Sequence, residues 1–172
     1  LSSNTTIGST AVGSNALALN TTGLGNTAVG SYALTQNTTA GNNSVLGYQT
    51  MYSNTTGNNN TAMGYQALYA NTTAGGNTAL GSNSMLATTS GAANTAVGYA
   101  SLKANTTAVN STAIGYNSLS GATGSYNTAV GCAALYQITS GTINIALGNN
   151  AGSSCITTDS HNIYIGHIGA AK

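Results

Sequence analysis

The sequence predicts an all-β fold, a parallel β-solenoid (β-roll) of about ten 17-residue coils. Three observations carry this expectation. A glycine closing an Asn-Thr-Ala-aliphatic-Gly motif returns at a nearly constant interval. Each interval holds two short apolar stretches separated by two turn-prone clusters. Charged residues are almost absent, at 2% of the chain, and there is no proline.

The closing glycines are Gly13, Gly30, Gly47, Gly64, Gly81, Gly98, Gly115, Gly131, Gly148 and Gly166, with steps of 17 except for 16 before Gly131 and 18 before Gly166. A helical-repeat hairpin needs about 33 residues, so this period excludes one. Two short strands and two bends per coil fit the length. Equivalent positions then stack about 4.8 Å apart, giving a rod roughly 50 Å long.

The unit reads Asn-Thr-Ala-Val-Gly-Tyr-x-Ala-Leu-x-x-Asn-Thr-Thr-x-Gly-x. Its fourth place holds Val29, Leu46, Met63, Leu80, Val97, Ile114 and Val130, and its ninth holds Leu34, Met51, Leu68, Leu102, Leu119 and Leu135. Both are expected to point inward as two aliphatic core columns. Alanine at the third and eighth places is expected to keep an adjoining surface small for another layer or chain. The fifth-place glycines suit a bend with positive φ or a close backbone approach. Asparagine at the first and twelfth places suits turns, and stacked asparagines hydrogen-bond along a column. One coil cannot repay the entropy of ordering its own backbone, so stability is expected only from stacking.

Residues 1–172 therefore read as one repeat region, with an irregular terminal coil over 149–172, and as a section of a longer fibre. No polar cap is recognisable at either end. Cys132 and Cys155 occupy different places in the unit, so stacking does not pair them. The formal charge is carried by Lys103, Lys172 and Asp159 alone. Such a surface has no field to attract nucleic acid, and little repulsion against self-association. No apolar run is long enough to insert into a membrane as a helix.

The residue inventory argues against an enzyme. Asp159 is the only acid, so one chain holds no carboxylate pair for general acid–base work. Asp159, His161 and His167 lack convincing metal-ligand spacing and read as a turn residue and two surface histidines. No phosphate-binding loop or cofactor motif is present. Tyrosines recur instead: Tyr48 with Tyr65, Tyr99 with Tyr116, and Tyr52 with Tyr69 share places in adjacent coils. Stacked pairs are expected mainly to shield the ladder, and secondarily to offer ring faces to sugars as surface contacts. Asn4, Asn20, Asn37, Asn54, Asn71 and Asn105 are N-glycosylation sequons. The Thr-Thr bends raise ice binding, which is weakened because adjacent threonines point to opposite sides.

The motif also carries a resemblance. Asn-Thr-Ala-Val-Gly (26–30 and 127–131), Asn-Thr-Ala-Met-Gly (60–64) and Ser-Thr-Ala-Ile-Gly (111–115) resemble the Asn-Ser-x-Ala-Ile-Gly repeats of trimeric autotransporter adhesin heads. The longer unit, as in 60–76, is similar to repeats of phage and virus tail-fibre-like proteins. Asn-Ile-Tyr-Ile-Gly (162–166) resembles segments that precede a self-cleaving chaperone domain in tail fibres. The resemblance implies a left-handed β-roll, three chains around one axis, and display on a cell or virion surface. The coil here is longer than that of adhesin heads. Together these readings predict a structural or adhesive fibre region, partnered by itself and by surface glycans. A self-assembling filament is the alternative, and an ice-binding solenoid ranks below it.

Overall fold

The computed structural model describes residues 8–154 and 157–166. They form a parallel β-solenoid with no helix among the described residues. Ten three-residue strands make one sheet in chain order. They are β1 (Thr10–Val12), β2 (Thr27–Val29), β3 (Ser44–Leu46), β4 (Thr61–Met63), β5 (Thr78–Leu80), β6 (Thr95–Val97), β7 (Thr112–Ile114), β8 (Thr128–Val130), β9 (Ile145–Leu147) and β10 (Ile163–Ile165). Neighbours pair in parallel and in strict repeat register, for example Ala28 with Val45 and Ala62 with Ala79.

Each coil contributes one strand, not the two expected. The second apolar stretch is a tight turn in which the seventh and ninth residues both take left-handed backbone conformations. Tyr32 and Leu34 have φ of 58° and 52°, and Gln66 and Leu68 repeat this at 53° and 51°. Left-handed backbone costs an L-residue about 1–2 kcal/mol. Full burial of the ninth side chain returns about 1.5–3 kcal/mol. Leu34, Met51, Leu68, Leu102, Leu119 and Leu135 are all fully buried, so this column is core as expected.

The fourth-place column is not core. Leu46, Met63 and Ile114 are 48%, 42% and 39% exposed, and Val29, Leu80, Val97 and Val130 are only half-buried. The cause is the two-residue period of a strand. The central residue of each strand, alanine in all but β3 (Val45) and β10 (Tyr164), faces in, so its neighbours at the second and fourth places face out. Ala28, Ala62, Ala79, Ala96, Ala113 and Ala129 are buried at 0%. The eighth-place residues Ala33, Ala67 and Ala134 join them inside. The small residues therefore line the interior instead of an adjoining surface, and one Leu/Met column suffices to fill so narrow a coil.

The fifth-place glycines behave as expected. Gly64 has φ 132°, and a Cβ there would fall 2.6 Å from the backbone carbonyl of Gly81. The same contact between consecutive glycines recurs from Gly13 to Gly131. Both irregular steps leave the sheet intact. In the short coil Thr123 is followed directly by Gly124, and in the long one Thr139 still reaches Thr157, 18 residues on. The interior changes at this end. Gly152 stands where the other coils carry leucine or methionine, and Tyr164 stands where they carry alanine. A Cβ on Gly152 would meet Leu135 Cδ2 at 2.7 Å and Tyr164 Cδ2 at 2.8 Å, so the tyrosine ring occupies the space the glycine vacates.

Candidate functional site

Two asparagines per coil organise the interior. At the first place, the Oδ1 of each asparagine accepts the backbone N–H of the first residue one coil on. Asn43, Asn60, Asn77, Asn94, Ser111, Asn144 and Asn162 donate in this way at 2.9–3.0 Å. At the twelfth place, the Nδ2 of Asn37, Asn54 and Asn71 donates back to the Oδ1 one coil earlier, at 2.8, 3.0 and 2.8 Å. The two asparagines then meet on one carbonyl. Ala40 O accepts from Asn26 and Asn37, and Ala74 O accepts from Asn60 and Asn71. Both lone pairs of that buried oxygen are used, and the coil closes. The twelfth-place ladder breaks at Thr88, where Asn71 Oδ1 is left without a donor. It does not resume past Asn105, because Ala122 and Ile138 fill the same buried place.

These hydrogen bonds decide the sequon question. Asn20, Asn37, Asn54, Asn71 and Asn105 are 0% exposed, so the folded chain offers none of them for glycosylation. Asn4 lies outside the described residues. The bend threonines also serve the frame. Thr21, Thr38, Thr55 and Thr72, each the first of a pair, donate their hydroxyls to the carbonyl one coil on, as Thr55 Oγ1 does to Thr72 O at 3.0 Å, and the second of each pair faces solvent.

Two outward surfaces carry large side chains in columns. One is the outer face of the sheet. It carries a Thr/Ser column at the second place from Thr10 to Thr128 and an aliphatic column at the fourth from Val12 to Ile165. Isoleucine replaces the hydroxyl residue in β9 and β10, at Ile145 and Ile163, which are 46% and 68% exposed. No charged side chain lies in this sheet.

The other surface is the tyrosine side. Tyr48 stacks on Tyr65 with ring centroids 5.7 Å apart, Tyr52 on Tyr69 at 5.5 Å, and Tyr99 on Tyr116 at 5.2 Å. Tyr32 joins the first two stacks, 6.1 Å from Tyr48 and 6.4 Å from Tyr52. Near-parallel rings at these distances meet face to face with an offset. Inside each pair the faces are spent on each other, as in a shielding role, and solvent meets edges and hydroxyls. Between the coils Gln66 Nε2 donates to Gln49 Oε1 at 2.8 Å. Over its five middle coils the sixth-place column reads Tyr48, Tyr65, Ser82, Tyr99, Tyr116, with Ser14 and Ser31 before them and Cys132 and Asn149 after. The break at Ser82 was not singled out by residue type and is visible only when the coils are aligned.

The titratable residues do not converge. Asp159 and His161 sit in the turn before β10, with the Asp159 carbonyl accepting from Asn144 at 2.7 Å, while His167 lies outside the described residues. Cys132 is an exposed free thiol at a sixth place, and Cys155 is also outside them. Among the described residues no three His, Cys, Asp or Glu side chains gather as metal ligands. No family model, curated protein or solved structure matches the chain.

Proposed function

We propose that this chain is a shaft or adhesive segment of an extracellular or virion-surface fibre, assembled as a homotrimer through the outer face of its sheet. The carrying observation is the uninterrupted aliphatic column from Val12 to Ile165. Nine strand spacings of about 4.8 Å make a strip about 43 Å long. With its neighbours it presents apolar surface on the order of 300 Å² or more, the scale of the largest apolar patches on soluble monomers, which are often functional. An uncharged strip beside a hydroxyl column has no like-charge repulsion against a second copy of itself.

Sedimentation or light scattering of the full chain tests the reading. Three chains per particle are expected, and Ile114→Lys, which sets a charge in mid-strip, is expected to lower the mass while the far-UV spectrum stays unchanged. A monomeric wild type overturns the proposal. Rods of indefinite length in negative stain would favour the filament instead. The Gly152–Tyr164 exchange, which ends the leucine column, speaks for segments of finite length.

A further inference from the structure

The missing rung at Ser82 leaves two tyrosine faces looking at each other. Tyr65 stacks on Tyr48 and Tyr99 on Tyr116, each on one side only within this column. Backbone hydrogen bonds carry the coil register through the gap. Asn83 N–H donates to Tyr65 O at 2.9 Å, and Ala100 N–H donates to Ser82 O at 3.0 Å. Tyr65 and Tyr99 therefore stand two spacings apart, about 9.6 Å. A ring midway would lie about 4.8 Å from each, within the ~4.5–7 Å range of stacked rings.

The flanks of the notch are polar. At the seventh place, Tyr32 reaches the sixth- and tenth-place residues of the next coil, Tyr48 and Tyr52. By place in the unit, Asn83 precedes Tyr99 and Lys103 by one coil, as Tyr32 precedes Tyr48 and Tyr52. Asn83 Oδ1 is buried without a hydrogen-bond partner, a cost the fold leaves uncompensated. Ala100, the seventh-place residue above it, has no side-chain donor to offer. Lys103 is exposed and is the only cationic Lys or Arg side chain among the described residues. Among the described residues no ion pair holds it. An aromatic guest would use the two rings and waste these groups. A pyranose has hydroxyls for Ser82, and a carboxylate on it would meet the ammonium.

We propose that the Ser82 notch binds the ring of an acidic sugar, a hexuronic acid residue, between Tyr65 and Tyr99 with its carboxylate on Lys103. This rests on the adhesive side of the function proposed above. A ring held in an open slot binds weakly, and repetition around a three-chain particle would multiply the effect.

The test is ligand-observed NMR on the full chain with a galacturonic acid trimer and a neutral galactose trimer. The wild type is expected to favour the acidic probe at least fivefold at low salt. Ser82→Tyr completes the tyrosine column and should weaken acidic binding more than tenfold without lowering the melting temperature. Tyr99→Ala should lose binding as well, which keeps the test decisive if Ser82→Tyr folds poorly. Lys103→Gln should reduce the acidic probe to the neutral level. Binding that survives both Ser82→Tyr and Tyr99→Ala overturns the notch and moves sugar contact elsewhere on the rod. A wild type that binds neither probe also overturns it, and particle mass measured on the same sample then judges the fibre reading separately.

Discussion

Individual residues in this rod are held to very different standards. Asn71 Oδ1 lacks the amide that the next coil supplies everywhere else in its ladder, because Thr88 stands there. Thr88→Asn places an Nδ2 against it and a new Oδ1 below Asn105. A net gain of about 1 kcal/mol is expected for such a hydrogen bond, read as a higher melting temperature. Ala93 is exposed with φ 57°, at the turn place where Asn42, Asn59 and Asn110 sit. Ala93→Gly relieves the left-handed strain and should stabilise by about 1 kcal/mol in a denaturant titration. Gly64→Ala is the opposite case. Its Cβ meets the Gly81 backbone at 2.6 Å with φ 132°, so a loss of about 3 kcal/mol or more is expected, with failure to refold as the extreme outcome.

The buried sequons give a prediction about handling the chain. A pathway that glycosylates during synthesis meets Asn37, Asn54 and Asn71 before the ladder forms. Each attached glycan then forbids burial of an amide that the coil requires. Secreted expression in such a pathway should yield glycosylated, unfolded material, and glycopeptide mapping of the soluble fraction should find these asparagines bare. Thr22→Ala, Thr39→Ala, Thr56→Ala, Thr73→Ala and Thr107→Ala together remove the five buried sequons at exposed places and should restore the folded yield. Modified Asn37 in well-folded protein would contradict the geometry.

The element of this structure is the coil, and its parts were unequally legible in the sequence. The period, the fifth-place glycines, the ninth-place column and the asparagine stacks follow from spacing and residue type. The orientation of the strand does not. Alanine and valine at adjacent places are both compatible with a core, and residue type does not say which of the two faces in. The third place faces in whether it holds Ala28 or Val45, both buried, and the strand period then turns Val29 out. The turn was equally hidden, because Leu34 and Leu68 are not residues that advertise a left-handed backbone. Equivalence between coils is testable by removing a whole unit. Deleting residues 60–76 sets Asn77 in the place of Asn60, directly after Asn59, and should leave a shorter rod with a similar far-UV spectrum. Removing half that length would set alanine against an outward place and should abolish cooperative melting.

For the whole molecule, composition left little to read except what it excludes. Near absence of charge means that contacts between rods are governed by shape and apolar area, so particle mass should vary little with salt. The two outward surfaces also divide the labour. The sheet face keeps its apolar fourth-place column along its length, which suits the proposed seam between identical chains, and the tyrosine side is interrupted, which suits the proposed recognition. The candidate site was illegible in the linear sequence because Tyr65, Ser82 and Tyr99 are consecutive only along the rod.

The asparagine ladders have one more consequence, which concerns direction. Every Nδ2 in the twelfth-place ladder points toward the lower-numbered coil, and every Oδ1 toward the higher. The first-place ladder runs the same way, with oxygen facing forward to the next backbone N–H. The rod is thus an arrow. Its leading side offers acceptors and its trailing side donors, so two such arrows continue each other only tip to tail, and two tips set oxygen against oxygen. Asn71 shows in miniature what an unanswered tip is, an amide oxygen facing forward with nothing to receive.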